Sequence, residues 1–303
     1  MATYSSGQID RYFSHVGWKA DLQPPPGSLA HLQELMKRQL ATVPFESLSL
    51  HYSATRRLSL DPEDLFHKIV DRGMGGYCME CNTFFGAVLR SLGYTLINAG
   101  ARVSHATAGR PGPGYGGWSH MVNIVIIDDQ KYLVDVAFGA NGTWKPLPLI
   151  PGYETTGTGT QKFRILYTAL HDHTDRSQRV WVYSYRESES TAWVDGYAVN
   201  DIEFLPDDFE VMNVATMSLP TSFFVQNLLC LKLLLDEETE PTGWLVLHQD
   251  QVKKKQGTTS TLLEQLITEE QRVLALERWF NIRLEESEKK GIRGLASELK
   301  PRR

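Results

Sequence analysis

The chain has 303 residues and a formal net charge of −5, with 42% hydrophobic and 22% charged residues. This length provides a core for one large domain or for two to three small ones. The charge balance lacks the basic face of a nucleic-acid-binding protein, because the short lysine clusters 253–255 and 289–290 lie among acidic residues, so we expect no nucleic-acid partner.

The sequence predicts neither a signal peptide nor a membrane span. No apolar run follows the first residues, and the most apolar stretch, Phe223 to Leu235, is interrupted by polar residues and is too short for a bilayer. Three cysteines in a chain of this length do not make a disulfide framework. We therefore expect a cytoplasmic protein whose thiols stay reduced and that has no membrane partner.

Helical patterns dominate about the first ninety residues. Ser28 is a candidate N-cap for a helix whose apolar residues recur at helical spacing until Pro44 interrupts it. Asp61, followed by a proline and two acidic residues, predicts the start of a second helix. A third helix is predicted from Cys78 to Gly93, since a glycine favours the helix stop.

The pattern changes to strands between about Asn98 and Phe204. The segments rich in β-branched and aromatic residues are Val122 to Ile127, Lys131 to Phe138, Lys162 to Tyr167 and Val180 to Tyr185. The linker from Ala106 to Gly117 is rich in glycine and proline, so we predict a flexible loop that ends just before His120.

The last third of the chain, past Pro206, mixes both patterns. We predict a helix from Ser222 to Leu235 and then a strand from Trp244 to His248. Thr268, with acidic residues in the turn that follows, predicts the N-cap of a final helix.

Three side chains in these segments have the chemistry of a nucleophilic site. Cys78 follows a glycine-rich segment at the start of a predicted helix, His120 lies at the start of a strand pattern, and Asp135 lies inside the next one. An imidazolium beside a thiol stabilises the thiolate, and a carboxylate fixes the tautomer and charge of the imidazole. Each residue alone also has an ordinary structural explanation, but the three in this order predict a Cys-His-Asp triad.

The predicted hairpin between His120 and Asp135 provides a geometric check. The polar segment Asp128-Asp129-Gln130 suits a tight turn, and a loop centred between the two aspartates pairs His120 with Ala137. Asp135 then lies two residues along the partner strand on the same face, roughly 7–8 Å away at the backbone. A slip of one residue would place the two side chains on opposite faces.

Cys78 is also the first residue of a C-x-x-C motif that ends at Cys81. The other interpretations of this motif are a thioredoxin-like redox pair and half of a zinc site. A redox pair needs a strand before the motif, and a zinc site needs further ligands, for which the sequence offers only Cys230, His171 and His173. We expect Cys81 to be a core residue one helical turn from the nucleophile, and we expect no metal site.

Several segments resemble the motifs of the arylamine N-acetyltransferases, most of all those of the fungal members, and the likeness covers nearly the whole chain. These segments are Val43-Pro44-Phe45-Glu46, Arg72-Gly73 with Gly75-Gly76-Tyr77-Cys78 (an R-G-G-x-C motif with Met74 as an extra residue), Trp118-Ser119-His120, Val134 to Gly139, Phe209 to Asn213 with Ser218 to Phe223, and the helix start Thr268-Glu269-Glu270. The common order of so many motifs makes the resemblance specific.

The resemblance implies an α+β fold in three parts with a cysteine-protease-like catalytic core. The parts are a helical bundle that carries the nucleophile (residues 1–96), a β-barrel-like domain that carries the histidine and the aspartate (residues 97–205), and an α/β lid (residues 206–303). It also implies ping-pong transfer of an acetyl or related short acyl group from acyl-coenzyme A to the nitrogen of an arylamine or arylhydrazine. Acyl-coenzyme A would be a co-substrate, and no permanently bound cofactor is expected.

The resemblance also assigns a role to individual side chains. Cys78 would carry the acyl group as a thioester, His120 would activate the thiol and later relay a proton from the amine, and Asp135 would orient His120. Ser119 and Thr221 would contact coenzyme A. Phe138 would line the substrate pocket.

The chain departs from the family pattern at Ser47, Ala137 and Ala215, and the last of these bears on the acyl donor. Some relatives carry a tyrosine against the coenzyme where this chain has Ala215. We expect the extra room to allow propionyl-coenzyme A within about tenfold of acetyl-coenzyme A. Malonyl-coenzyme A is a harder case, since its free carboxylate needs a partner, for which the sequence offers Arg102, His105 and Arg110.

Two other functional classes fit parts of the pattern. Transglutaminases and cysteine peptidases use the same triad order, and with water as acceptor the thioester would be hydrolysed. A non-catalytic binding protein would have no use for a buried aspartate aimed at a histidine. Stabilisation by coenzyme A on thermal melting would favour the transferase.

Overall fold

The computed structural model describes residues 2–19 and 25–300. The helices are α1 (Ser6–His15), α2 (Leu29–Thr42), α3 (Leu48–Tyr52), α4 (Pro62–Phe66), α5 (Cys78–Ser91), α6 (Pro206–Ser218), α7 (Phe223–Gln226) and α8 (Glu269–Phe280), with a π-helical turn at His67–Asp71 and 3-10 turns at Gly139–Asn141 and Glu288–Lys290. The strands are β1 (Phe45–Glu46), β2 (Thr95–Ser104), β3 (Tyr115–Ile127), β4 (Gln130–Val134), β5 (Leu147–Pro148), β6 (Tyr153–Thr156), β7 (Lys162–Thr168), β8 (Val180–Arg186), β9 (Val194–Val199), β10 (Leu229–Leu235), β11 (Pro241–His248), β12 (Gln251–Gln256) and β13 (Thr259–Gln265). Within the described ranges, no helix is both long enough and apolar enough to cross a membrane.

The predicted helix ends in the first and last parts of the chain are confirmed. The hydroxyl of Ser28 accepts the backbone N–H of His31 and caps α2, and the carboxylate of Asp61 accepts two backbone N–H groups at the start of α4. Gly93 follows the last turn of α5 with φ +85°, a conformation that favours glycine. Thr268 caps α8 through a capping box, so each of these ends follows from local chemistry.

Helix α5 lies at the centre of the helical part and is buried on nearly every side. Eleven of its 14 residues are buried, from Cys78 to Leu89. Its core partners include Tyr12 of α1 and Leu35 of α2, which are both fully buried. A helix that is enclosed on all sides cannot shift without disrupting the core, so the residue at its start has a fixed position.

The middle of the chain forms an eight-stranded, β-barrel-like sheet in the order β5-β4-β3-β2-β9-β8-β7-β6. All of the pairings between named strands are antiparallel. Side chains from both halves of the sheet, such as Ile124 of β3, Phe163 of β7 and Tyr183 of β8, meet in one apolar core. This interior core supports the inner side of β3, the strand that carries His120.

The β3–β4 hairpin has the predicted register. Asp128 and Asp129 both have positive φ values, as a two-residue type I′ turn requires, and Ile127 pairs with Gln130. The expectation that Asp135 lies inside a strand is wrong, because β4 ends at Val134. The two backbone N–H groups after Asp135 bond to side chains instead of a strand: that of Val136 to Asn82 and that of Ala137 to Asp135 itself.

The predicted loop before His120 is shorter than expected. Strand β3 already begins at Tyr115, which pairs with Ser104 of β2, so two of the glycines of the predicted loop lie within the strand. The loop closes where the backbone N–H of His105 donates to the carbonyl of Gly114 at 2.9 Å. His120 therefore lies well inside a long strand and is positioned by the sheet.

A second, five-stranded sheet has the order β1-β10-β11-β12-β13 and packs against α8. The predicted helix from Ser222 to Leu235 is wrong: only Phe223–Gln226 is helical, and Leu229–Leu235 is strand β10. An apolar run without clear periodicity fits a buried strand as well as a buried helix, and here it lies between β1 and β11.

The segment that contains α6 and α7 lies against the start of α5. The hydroxyl of Tyr77, the residue before Cys78, donates to the side chain of Asn213 in α6. The ring of Phe224 in α7 contacts the ring of Tyr77 edge-on, with 5.3 Å between the centroids. Residues far apart in sequence therefore enclose the segment that leads into Cys78. The division of the chain into parts at residues 96 and 205 stays a prediction.

Candidate active site

Cys78 is the first residue of α5, and a tight glycine turn leads into it. A Cβ atom on Gly75 would lie 1.7 Å from the carbonyl oxygen of Pro44, so only glycine allows this close approach. Gly76 forms an isolated bridge with Phe45 of β1. The Cys78 thiol points toward β3, where Sγ lies 3.8 Å from the carbonyl oxygen of Ser119. A thiolate at this position would also gain from the positive end of the α5 dipole.

His120 and Asp135 form a buried ion pair. Nε2 of His120 lies 2.7 Å from Oδ2 of Asp135, and the two side chains are 3% and 1% exposed. Burial opposes the positive charge of the imidazole, but Asp135 and, to a smaller extent, Cys78 outweigh it and raise the pKa of His120 to about 10. Burial likewise opposes the charge of Asp135, but His120 and two further hydrogen bonds lower the pKa of Asp135.

The structure thus brings the three predicted residues together from α5, β3 and the end of β4. Because Asp135 bonds to Nε2 of His120, the other ring nitrogen is left for a thiol partner, and Cys78 acts with Asp135 to raise the pKa of the imidazole. This is the relative order of nucleophile, base and orienting carboxylate that a catalytic triad needs. The arrangement is suited to attack on a thioester, an ester or an amide carbonyl.

Asn82 is part of this site, and the sequence analysis does not predict it. Its Nδ2 donates to Oδ1 of Asp135 at 3.0 Å and to the carbonyl oxygen of Met121 at 2.8 Å. Its Oδ1 accepts the backbone N–H of Val136 at 3.1 Å. Asn82 lies one helical turn after Cys78, so it joins α5 directly to the carboxylate of Asp135. The only available signal was the spacing i, i+4 from the cysteine.

Phe138 lies beside the imidazole of His120. The ring centroids are 5.3 Å apart, and Tyr197 contacts both rings, at 4.9 Å from His120 and 4.8 Å from Phe138. Phe138 is partly exposed, whereas Tyr197 is buried. Aromatic faces beside a reacting centre suit a flat, apolar substrate.

The two predicted coenzyme contacts lie in different parts of the structure. Ser119 directly precedes His120, is partly exposed, and its hydroxyl donates to the carbonyl oxygen of Gly117 at 3.3 Å. Thr221 is exposed in the turn between α6 and α7, and the residue at the N-cap of α7 is Ser222. Both assignments stay predictions.

The C-x-x-C motif runs from the start of α5 into the core. Cys81 is buried, and its thiol lies 3.1 Å from the carbonyl oxygen of Gly76, as expected for a core residue one turn after the nucleophile. Within residues 2–19 and 25–300, no group of three His, Cys, Asp or Glu side chains is arranged to hold a metal ion. Burial raises the pKa of the Cys81 thiol and that of the Cys230 thiol, which keeps both in the unreactive protonated form.

Known proteins share both the sequence pattern and the fold. The sequence matches the N-acetyltransferase family over residues 28–289. It is 36% identical over 288 residues to the N-malonyltransferase FDB2 of Fusarium pseudograminearum, with 88% of this chain and 84% of that protein covered. The fold is similar to that of the arylamine N-acetyltransferase from Mycobacterium abscessus (TM-score 0.79, 20% identity, 94% and 93% of the chains covered). It is also similar to the Mycobacterium marinum enzyme in complex with CoA (TM-score 0.75, 24% identity, 95% and 99% covered).

These matches define an enzyme of the N-acyltransferase class. The chain belongs to the arylamine N-acetyltransferase family, as its motifs predict. The fold prediction is confirmed as well: the chain is α+β, with a β-barrel-like sheet and the cysteine-protease-like core of its structural neighbours.

Proposed function

We propose that the protein transfers a short acyl group from acyl-coenzyme A to the nitrogen of an arylamine or arylhydrazine, through a thioester on Cys78. The observation that carries this proposal is the buried His120–Asp135 pair, which lies close enough to Cys78 at the start of α5 for the thiol to contribute to the raised pKa of His120. The CoA-bound neighbour of the same fold supports acyl-coenzyme A as the donor. The proposed co-substrates are therefore acyl-coenzyme A and a small aromatic amine or hydrazine.

The proposed first half-reaction loads the acyl group onto the enzyme. In the resting state His120 is protonated and stabilises the thiolate of Cys78, in line with a pKa of His120 raised to about 10. Sγ attacks the thioester carbonyl, and the tetrahedral intermediate expels the coenzyme A thiolate. His120 gives its proton to that thiolate, so coenzyme A leaves as a thiol and His120 becomes neutral.

The second half-reaction releases the acyl group to the amine. The amine nitrogen attacks the carbonyl of the Cys78 thioester, and neutral His120 accepts the proton that the nitrogen loses. Collapse of the intermediate breaks the bond from carbon to Sγ and regenerates the thiolate–imidazolium pair. Asp135 stabilises the imidazolium in both halves and keeps the proton on Nε2.

Acylation of Cys78 is the test of this route. The protein is incubated separately with acetyl-, propionyl- and malonyl-coenzyme A, and the peptide that contains Cys78 is examined by mass spectrometry for the matching acyl increment. Addition of an arylamine should remove the increment and yield the N-acyl product. No increment with any donor would refute the thioester route, whereas an increment lost equally fast in water alone would favour a hydrolase.

We further propose that malonyl is among the acyl groups used, although the sequence motifs alone favour acetyl. The named relative at 36% identity is an N-malonyltransferase, and Arg102 is a cation on β2, which pairs with β3, the strand of His120. Arg102 pairs with Trp118 in the register next to the Ala101–His120 pair, and its guanidinium lies 4.0 Å from the centre of the Trp118 ring. Among the described residues, the guanidinium of Arg102 contacts the carbonyl oxygen of Gly116 and the Trp118 ring and forms no ion pair, so the acyl carboxylate of malonyl-coenzyme A would be a suitable counterion.

Arg102→Gln separates the possible roles of this cation. We expect the variant to lose about tenfold or more in the rate of Cys78 acylation by malonyl-coenzyme A, a loss of about 1.4 kcal/mol. The rate with acetyl-coenzyme A should change by less than about threefold, and Arg102→Lys should keep part of the malonyl preference. Equal losses with both donors would assign Arg102 to the coenzyme phosphates and refute its role as the carboxylate partner.

We also propose that the protein acts in the cytoplasm. The three cysteines, at positions 78, 81 and 230, are all free thiols in the structure. A reducing compartment would keep the nucleophile in the form that reacts.

A further inference from the structure

A buried ion network lies directly behind the nucleophile segment. Nζ of Lys68 is 2.7 Å from Oε1 of Glu80 and 3.4 Å from Oε1 of Glu46, and the two carboxylate side chains are 2% and 0% exposed. Lys68 projects from the π-helical turn, Glu46 belongs to β1, and Glu80 lies in the first turn of α5. One ammonium group therefore joins three segments that meet where the nucleophile helix begins.

The same two acidic residues also hold the backbone that leads to Cys78. The second carboxylate oxygen of Glu80 accepts the backbone N–H of Tyr77 at 3.1 Å. The backbone N–H of Glu46 donates to the carbonyl oxygen of Gly76 at 2.9 Å. Gly76 and Tyr77 immediately precede Cys78, so the network fixes the conformation of the two residues that lead into Cys78.

Arg72, the arginine of the glycine-rich motif before Cys78, is not the cation of this network. The guanidinium of Arg72 makes two hydrogen bonds of 2.9 Å with Glu288, in the C-terminal part of the chain. Among the residues that the structure describes, Lys68 is the one cation within 4.0 Å of Glu46 or Glu80. Buried carboxylates without a counterion are costly, so these two depend on Lys68.

The ionisation of Glu80 depends on Lys68 as well. Burial raises the pKa of Glu80, and the charge of Glu46 acts in the same direction, whereas Lys68 opposes both. Burial opposes the charge of Lys68 too, but the two carboxylates outweigh it and raise the pKa of Lys68. Loss of the ammonium would favour the protonated form of Glu80. Its hydrogen bond to the N–H of Tyr77 would then weaken, since a charged acceptor binds more strongly than a neutral one.

We propose that Lys68 is a positioning residue for the nucleophile: it holds Glu80 in place as the cap of the Tyr77 N–H, and so fixes the start of α5 from which Cys78 reacts. This inference rests on the nucleophilic role proposed above for Cys78. Lys68 acts through Cys78 and touches no substrate. Its loss should therefore slow the reaction of the thiol with any electrophile and lower kcat more than it raises KM.

The experiment compares Lys68→Met with Lys68→Arg, which keeps the positive charge. The first readout is the second-order rate constant of iodoacetamide with Cys78, followed by the mass of the Cys78 peptide on protein shown to be folded by circular dichroism. The second readout is kcat and KM for acyl transfer. Lys131→Met is the matched control, because Lys131 pairs with Asp201 at 2.7 Å on the surface and lies outside the network.

We expect Lys68→Met to reduce both the alkylation rate and kcat by about tenfold or more, with KM within about twofold, and Lys68→Arg to recover most of each loss. The control should match the wild type. A folded Lys68→Met protein with the wild-type alkylation rate and kcat, and with only a lower melting temperature, would show a purely structural role and overturn the proposal.

A second variant decides the matter if Lys68→Met does not fold. Glu80→Gln removes one buried charge, and it replaces one of the two oxygens that accept from Lys68 and from the Tyr77 N–H with an NH₂ group, so one of these donors would face another donor. We expect it to slow alkylation of Cys78 at least threefold, and a wild-type rate would overturn the proposal. The alkylation test needs no acyl donor, so it stays informative even if the wild type shows no acylated Cys78, a result that would refute the proposed function instead.

Discussion

Asp135→Asn tests the candidate triad with the least change in shape. In the wild type, Oδ1 of Asp135 accepts hydrogen bonds from Asn82 at 3.0 Å and from the N–H of Ala137 at 2.9 Å, while Oδ2 faces Nε2 of His120. An asparagine would direct its single oxygen to the two donors and its NH₂ group to the imidazole. Nε2 of His120 would then have to accept a hydrogen bond, and the ring proton would move to the nitrogen that serves Cys78.

The size of the effect follows from the charge of His120. Asp135 and Cys78 raise the pKa of His120 from 6.5 to about 10, so nearly all molecules carry an imidazolium near pH 7.5. At a pKa of 6.5 only about one molecule in ten would carry it, and burial lowers the fraction further. The wrong imidazole tautomer adds to this loss. In a Ser-His-Asp triad, the corresponding change from Asp to Asn lowers kcat by about 10⁴. We expect Asp135→Asn to slow acylation of Cys78 by about 10² to 10⁴.

The assay is the rate of Cys78 acylation under single-turnover conditions, with mass spectrometry of the peptide as the readout. Asp201→Asn is the matched control, because Asp201 also pairs with a cation, Lys131, but at the surface. The control should acylate at the wild-type rate. More than about a tenth of the wild-type rate in folded Asp135→Asn protein would mean that the carboxylate has a structural role, and the triad assignment would fail.

Two further outcomes are expected of the unmodified protein. Iodoacetamide should label Cys78 much faster than Cys81 or Cys230 near neutral pH, because burial raises the pKa of the other two thiols; equal labelling rates in a peptide map would rule out the thiolate–imidazolium pair. Initial-rate plots against acyl-coenzyme A at several amine concentrations should be parallel, because the thioester divides the reaction into two steps; intersecting lines would indicate direct transfer in a ternary complex.

The features that the sequence predicts correctly are those with local causes. The caps at Ser28, Asp61 and Thr268 depend on side chains within a few residues of the helix start. The register that relates His120 to Asp135 is set by a two-residue turn, and β3 and β4 pair in the predicted register. Helix α1 had a comparable signal in the capping box of Ser5 and Gln8, which the sequence analysis overlooks.

The features that the sequence does not predict have causes elsewhere in the fold. Strand β10 is an apolar run whose conformation is decided by its neighbours β1 and β11. The exit of Asp135 from β4 depends on Asn82, a side chain 53 positions away in the sequence. Lys68 carries no motif of its own, and only the folded chain places it between two buried carboxylates.

The site joins two parts of the fold, and the contacts between them do not depend on the thiol. Asn82 makes three hydrogen bonds to the hairpin of His120 and Asp135, and a fourth runs from the side chain of Asn123 to the backbone carbonyl of Asn82. At about 1 kcal/mol for a typical hydrogen bond, these contacts outweigh the loss of the weak thiol contact at Ser119. The scaffold therefore holds the start of α5 and the β3–β4 hairpin in a fixed relative position. The proposed attack of Cys78 on an acyl donor requires such a preorganised arrangement.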